Sequence, residues 1–400
     1  MCYNAVTTIP SIQRGLRSNP AARGKERRVA ADFRIAVAGT GFGEKYITGL
    51  KGVSGVEVVG VYSRRPERAA ATAEQFGIPY STRHLDVLLE LPNLHAVAIV
   101  TPNSTHAEFV RAALAGRQRL MRERPLGLSG IICDKPLALT AQEGTDLYRQ
   151  AEDAGVRHVT FVPYRYSPAS LAMKEAMAQG QIGRVLRVRA NWGVDLRREP
   201  LRWRFQSSAA GPGVVADLGA HVLDLVTWWV GPIRRVLGRC RTLVPERPAE
   251  VGGRLRPVDV PDECWALVEF AGAGIGSVAL SWNEQRPQRI EIEGERGTLI
   301  YESPSLLQWL EGRGPFNPSA TLVHAGEAGR KAALPLPGRQ AFTSPEAALA
   351  HIFGEIVSYL QGGERPEPVA TFREGVEVLQ VMDAIVASDR EGRWLDAAAG

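Results

Sequence analysis

Phe33-Arg-Ile-Ala-Val-Ala-Gly39-Thr-Gly41-Phe-Gly43-Glu44 decides the fold of this chain. An apolar run of strand length meets three glycines at alternate positions, and one helix length later comes Val56-Glu-Val-Val-Gly-Val-Tyr62. Strand, glycine turn, helix and strand make a parallel pairing. Glycines at such a junction allow a tight turn and let backbone N–H groups approach a pyrophosphate at the helix N-terminus. Gly39, Gly41, Phe42 and Gly43 are therefore expected to hold a dinucleotide. Glu44 stands where Gly or Ala is usual; its carboxylate is expected to point away from the phosphates, with Gly43 giving the close helix–strand contact.

The alternation continues outward. A helix is expected at about 66–76, a strand at Ala96–Val100, a helix capped by Ser104 to about Ala115, a strand at Ile131–Cys133, and a helix from Thr140 with Glu143 as its capping-box partner. This gives an α/β fold: an N-terminal doubly wound parallel sheet, a Rossmann domain over 33–155. From 156 to 400 strands follow one another, several alternating as in Val185-Leu-Arg-Val-Arg-Ala-Asn191, with a helix at 216–230 and two more near 345–361 and 371–388. The second domain is expected to be α+β around a large, mainly antiparallel open sheet for substrate binding and oligomerisation. The stretch 312–338 reads as a loop or weak hairpin. Leu186, Val188, Leu267, Val278 and Leu280 are assigned to one uncovered sheet face, which predicts a homodimer or homotetramer joined sheet to sheet.

Composition is that of a globular protein, 44% hydrophobic and 23% charged over 400 residues, long enough for two domains. No run of about 18 apolar residues suggests a membrane span. Cys2, Cys133, Cys240 and Cys264 are scattered, which suits reduced thiols in a cytoplasmic protein. Of the net +5, most lies in residues 1–32, where six basic residues face Glu26 and Asp32. This segment is read as a flexible basic extension, and the remaining body carries no basic face suited to nucleic acid.

Two further constellations carry chemistry. Tyr62-Ser63-Arg64-Arg65 closes the second strand. An acid there would accept from a ribose 2′-OH; Ser63 and Arg64 instead suit a 2′-phosphate, so NADP is preferred over NAD. In Gly211-Pro-Gly-Val-Val-Ala-Asp217-Leu-Gly-Ala-His221-Val-Leu-Asp224, Asp217 and His221 are four apart and share a helix face. A carboxylate beside an imidazole can set its tautomer and raise its pKa, making an acid/base near neutrality, and Asp224 is a second candidate to orient the ring. Two ligands without a further His/Cys cluster argue against a metal.

Gly39-Thr-Gly-Phe-Gly43, Thr101-Pro-Asn-Ser-Thr-His106, Asp134-Lys135-Pro136, Tyr164-Arg165, Trp203-Arg204 and Asp217-x-x-x-His221 together resemble the Gfo/Idh/MocA oxidoreductases, from about Phe33 to Trp394. The resemblance implies hydride transfer between NAD(P) and a carbinol or ketone carbon of a sugar, sugar derivative or cyclitol. It implies Lys135, Asp217 and His221 as catalytic residues, with Lys135 also near the nicotinamide. Thr101, Pro102, Asn103 and His106 would line the cofactor cleft, Trp203 and Arg204 its nicotinamide end, and Tyr164 and Arg165 the substrate side together with Asp217 and His221. Trp192, Arg197, Arg198 and Trp282 are further candidates to meet a sugar ring. The family also holds non-catalytic sensors and hydride-shuttling glycosidases; an intact Lys135, Asp217 and His221 favours the dehydrogenase.

The lysine motif occurs twice. Glu123-Arg-Pro-Leu-Gly-Leu-Ser129 and Asp134-Lys-Pro-Leu-Ala-Leu-Thr140 match by residue type. Gly130-Ile-Ile-Cys133 suits a strand buried on both faces, whereas the arginines flanking the first copy would be costly there. Lys135 is therefore expected in the site, with 117–130 looped out near the cofactor cleft.

Overall fold

The computed structural model describes residues 16–18, 32–123, 128–272, 274–284, 288–304, 318–324, 331–335 and 344–397. The first sheet contains β1 (Arg17–Ser18), β2 (Phe33–Ala38), β3 (Val56–Tyr62), β4 (Tyr80–Thr82), β5 (Ala96–Ile99), β6 (Gly130–Asp134) and β7 (Arg157–Phe161), in the order β1-β4-β3-β2-β5-β6-β7. All neighbours are parallel except β1, which pairs Arg17 and Ser18 antiparallel with Ser81 and Tyr80 at the edge. Two residues of the basic extension thus belong to the sheet. The boundary expected at 155 falls inside this domain, because Arg157–Phe161 is its last strand.

Helices α1 (Gly43–Lys51), α2 (Pro66–Phe76), α3 (Leu85–Leu89), α4 (His106–Glu123) and α5 (Ala141–Asp153) connect these strands. Helix α4 overturns two expectations. A 3₁₀ turn over Asn103–Thr105 precedes it, so Ser104 is not its cap, and it continues through 117–123 where a loop was expected. At 1.5 Å per residue its 18 residues span roughly 27 Å, about twice the reach of the four-residue β5 beside it. The helix leaves the carboxyl end of β5 and runs back past the amino end of the sheet, so residues 117–123 lie away from the cofactor end. Most of the first lysine motif, 124–127, lies outside the described residues.

The second domain supplies α6 (Pro168–Ala178), β8 (Val185–Gly193), α7 (Ser207–Ala210), α8 (Ala220–Val230), β9 (Ile233–Arg241), a β10 (Glu246–Pro248)–β11 (Leu255–Pro257) hairpin, β12 (Glu263–Phe270), β13 (Ile275–Ser281), β14 (Gln288–Gly294), β15 (Gly297–Ser303), β16 (Ser319–His324), β17 (Lys331–Ala333), α9 (Pro345–Leu360), α10 (Phe372–Glu391) and β18 (Leu395–Asp396). The large sheet runs β17-β16-β15-β14-β8-β13-β12-β9-β18 and is antiparallel except at β8–β13. Helix α9 returns to the first domain, where Phe353 stacks with Phe161 and packs against Tyr46. Ser207–Val230 is long and apolar enough to cross a bilayer, yet it is mostly buried and carries Asp217, His221 and Asp224.

The face expected to be uncovered is assigned differently in the structure. Val188, Val278 and Leu280 are buried on the helix-covered side, because register places Val278 opposite Ala190 and Leu280 opposite Trp192. Of the expected five, Leu186 and Leu267 are exposed, at 36% and 49%, and Leu267 shares the open face with Trp265 and Ile275, at 61% and 56%. The neighbouring part of that face is a ladder of cross-strand pairs, Arg187–Glu293, Arg189–Glu291 and Arg289–Glu302.

Candidate active site

Gly39, Thr101 and Lys135 follow the carboxyl ends of β2, β5 and β6, at the point where strand order reverses between β2 and β5. Gly39 has φ +131° and a Cβ there would stand 2.3 Å from the Val100 carbonyl oxygen, so glycine is required. At Gly41, φ +82°, an added Cβ would meet nothing within 4 Å: the loop is open on the side where a pyrophosphate would lie. Glu44 turns to Thr72 of α2, 3.5 Å away, as expected. Gly43 makes no tight approach, since an added Cβ would meet Val37 at an ordinary 3.5 Å. These residues fit a dinucleotide. Ser63 is partly exposed and Arg64 exposed at the end of β3.

Lys135 donates to the Asp217 main-chain oxygen at 2.8 Å and to its Oδ1 at 3.1 Å. Trp282 Nε1 donates to Asp217 Oδ2 at 3.2 Å. Arg204 Nε approaches the same oxygen to 3.2 Å without hydrogen-bond alignment, a charge contact. Burial alone would raise the Asp217 pKa, but Lys135 and Arg204 outweigh it and hold the carboxyl well below its usual range. Beneath Lys135, Tyr46 donates to Asp134 Oδ1 at 3.0 Å.

Among the described residues Asp217 and His221, expected to pair, form no hydrogen bond or ion pair with each other, although the carboxylate's charge still acts to raise the imidazole pKa. Val215–Gly219 is a π-helical turn, and α8 starts only at Ala220. Asp217 is instead committed to Lys135 and Trp282. Burial and the nearby Lys135 charge push the His221 pKa well below the ordinary imidazole value, opposite to the expected rise. Its Nδ1 is buried with no hydrogen-bond partner among the described residues, and the Tyr164 ring stands 4.9 Å away, edge to face. Asp224 does not orient His221 either. It accepts from Arg165 Nε and Nη2, both at 2.7 Å.

That pair also removes Arg165 from the substrate side, since both side chains are almost fully buried. Tyr164 is buried and its hydroxyl donates to Gln288 Oε1 at 2.9 Å. His106, fully buried, places Nδ1 2.7 Å from the Pro136 carbonyl and Nε2 2.8 Å from that of Thr101; it ties two loops together and cannot line the cleft. Asn103 is buried and donates Nδ2 to the Ala210 carbonyl at 3.1 Å, fastening the first domain to α7. Thr101 and Pro102 stay partly exposed at the cleft, and Trp203 is 41% exposed. Trp192 and Trp282 are buried and cannot stack on a substrate; Arg197 pairs with its neighbour Asp195, and Arg198 is exposed. Sequence reasoning missed Trp282 as a partner of Asp217, and only strand β13 ending beside the π turn brings them together.

A nucleotide loop at a sheet switch point, with a lysine, a carboxylate and an imidazole gathered beside it, defines a nicotinamide-dependent oxidoreductase. The profile of the oxidoreductase family with NAD-binding Rossmann fold, GFO/IDH/MocA, matches residues 33–161, and that of the GFO/IDH/MocA C-terminal domain matches 170–300. Levoglucosan dehydrogenase of Pseudarthrobacter phenanthrenivorans is 31% identical over 357 residues, 83% of this chain and 87% of that protein. D-xylose 1-dehydrogenase (NADP(+)) 2 of Haloferax volcanii is 29% identical over 66% of this chain and 74% of its own length. A levoglucosan dehydrogenase structure in complex with NADH and levoglucosan superposes with TM-score 0.76 at 27% identity, covering 92% of this chain and 100% of that one. The chain belongs to the Gfo/Idh/MocA family. It is an NAD(P)-dependent oxidoreductase acting on CH–OH groups.

Proposed function

We propose that Lys135, Asp217 and His221 carry out the proton chemistry of carbinol oxidation, and its reverse, on a polyhydroxylated substrate. The observation that carries this reading is the Lys135–Asp217 contact, 2.8 and 3.1 Å, set beside a neutral His221. Bound nicotinamide supplies the hydride acceptor or donor. His221, with Nδ1 enclosed, has Nε2 left to take the hydroxyl proton in oxidation and return it in reduction. Lys135 lowers the charge cost of the developing alkoxide, and Asp217 holds the ammonium in place. The Gly39–Gly43 loop, Thr101, Pro102, Trp203 and Arg204 line the dinucleotide cleft.

Ser63 and Arg64 favour NADP over NAD, because a guanidinium beside a hydroxyl recognises a 2′-phosphate and there is no carboxylate to accept from a 2′-OH. The enzyme is assigned to the cytoplasm, in keeping with its free buried thiols Cys133, Cys240 and Cys264. Its open sheet face, with Trp265, Leu267 and Ile275 exposed, supports a homodimer or dimer of dimers. The test is NAD(P)H absorbance against a panel of sugars, sugar acids and cyclitols, run with both cofactors on wild type and on Ser63→Asp/Arg64→Ala. NADP-linked turnover that switches to NAD in the variant is expected. No turnover with any polyol, or an unchanged preference, overturns the corresponding part.

A further inference from the structure

Arg247 is buried to 1% exposure on β10, far in sequence from every motif above. Its Nη1 donates to the main-chain oxygens of Leu196 and Glu199, the latter at 3.1 Å. Its guanidinium lies 4.0 Å over the Phe205 ring. Next to it, Pro248 accepts from Leu201 N at 2.8 Å. The segment 194–206 is therefore a strap with Arg247 at its centre, stitched at one end to β13 by Val194 N on Ser281 O (2.9 Å) and Leu196 N on Trp282 O (2.7 Å). Phe205 in turn stands edge to face against Trp282, 5.3 Å between centroids, and Trp282 holds Asp217 Oδ2. Guanidinium, phenyl, indole, carboxylate and Lys135 form one packed column. The same strap carries Arg204 to Asp217.

We propose that Arg247 is the positioning residue of this active site, clamping the 194–206 strap so that Phe205 and Trp282 hold Asp217, and through it Lys135, in register. The inference rests on the reading of Lys135 and Asp217 given above.

The chemistry favours a clamp over a simple core residue. Five other described arginines, Arg165, Arg184, Arg197, Arg235 and Arg289, place the Nε/Nη2 edge on a carboxylate, whereas both atoms of that edge in Arg247 are buried without a hydrogen-bond partner among the described residues. A buried cation with half its donors unused is costly, and an apolar side chain would fill the space more cheaply. Only a planar, charged fork both stacks on a ring and reaches two carbonyls of a crossing strap.

Arg247→Met removes the charge, and Arg247→Lys keeps it while losing the fork and the stacking face. Both variants are expected to lose on the order of ten- to hundredfold in kcat/KM, mainly in kcat, because the displaced groups are Asp217 and Lys135 rather than the pyrophosphate loop. Hydrogen exchange is expected to rise in peptides covering 194–206 and to stay unchanged in α5. If Arg247→Met fails to fold, Arg247→Lys decides. Folded variants with wild-type kcat and KM, or with lost activity but unchanged strap exchange, overturn the clamp. If wild type turns over no sugar, the proposed function fails. The exchange measurement then still tests the clamp: faster strap exchange upholds it and unchanged exchange overturns it.

Discussion

Replacing Asp224 by Asn tests whether Arg165 serves the fold or the substrate. The guanidinium donates two parallel bonds of 2.7 Å to the carboxylate, with side chains 4% and 3% exposed, and its carbon lies 5.0 Å over the Trp228 ring. Burial pushes the Asp224 pKa up even with Arg165 against it, while Asp224 holds the buried guanidinium charged; buried pairs of this kind are often near break-even against an apolar pair of similar volume. Removing one partner is different, because arginine cannot shed its proton to escape the uncompensated site. Asp224→Asn is expected to cost roughly 3–5 kcal/mol, and the double variant Arg165→Met/Asp224→Leu clearly less than either single one. Urea unfolding followed by tryptophan fluorescence and circular dichroism reads both. A stability within about 1 kcal/mol of wild type, coupled to a rise in substrate KM, would refute the structural role and return Arg165 to the substrate.

Four other outcomes follow from the site and from the α10 cap. His221→Ala is expected to lower turnover by roughly two to four orders of magnitude with cofactor affinity kept, measured by fluorescence titration of NAD(P)H. Since burial and Lys135 depress the His221 pKa, the acid limb of kcat/KM for oxidation is expected below pH 6.5; a limb above that value contradicts a neutral, enclosed base. Lys135→Ala is expected to abolish turnover while Arg124→Ala keeps it, and the reverse pattern would assign the chemistry to the first motif copy. Glu374 accepts from Thr371 N at 2.7 Å in the α10 capping box and pairs with Arg365; burial opposes its charge, but these contacts bring its pKa down to about 2 from 4.5. Its contribution, roughly 3 kcal/mol from that shift, is complete above pH 4.5 and lost as pH falls through about 2. Glu374→Gln should flatten this part of the stability–pH curve.

The Rossmann half was legible because each of its signals is local. Phe33–Ala38 carries its glycine turn directly behind it, and Gly130–Asp134 shows by its apolar run that it is a strand buried on both faces. Lys135 could be preferred over Arg124 by that same strand physics, and it does stand at Asp217. Local expectations failed in that half too, the Ser104 cap and the end of α4 among them; most of what else failed depended on partners distant in sequence. Asp217 and His221 stand four apart, but Lys135 and Trp282, 82 and 65 positions away, take the carboxylate, and nothing in Val215–Gly219 announces a π turn. His106, Asn103, Tyr164 and Arg165 carry polar groups that suit a cofactor or substrate, yet Pro136, Ala210, Gln288 and Asp224 take them up, each more than 25 positions away. Alternation in Val185–Gly193 fixed which residues share a face but not which face helices cover.

Helix α4 carries the chain past the amino end of the sheet before β6 begins, on the side opposite the loops that meet the cofactor and Lys135. The far end of α4 is accordingly a docking post for engineering: a fluorophore, an affinity tag or a short inserted domain placed there should report on the enzyme without disturbing its chemistry.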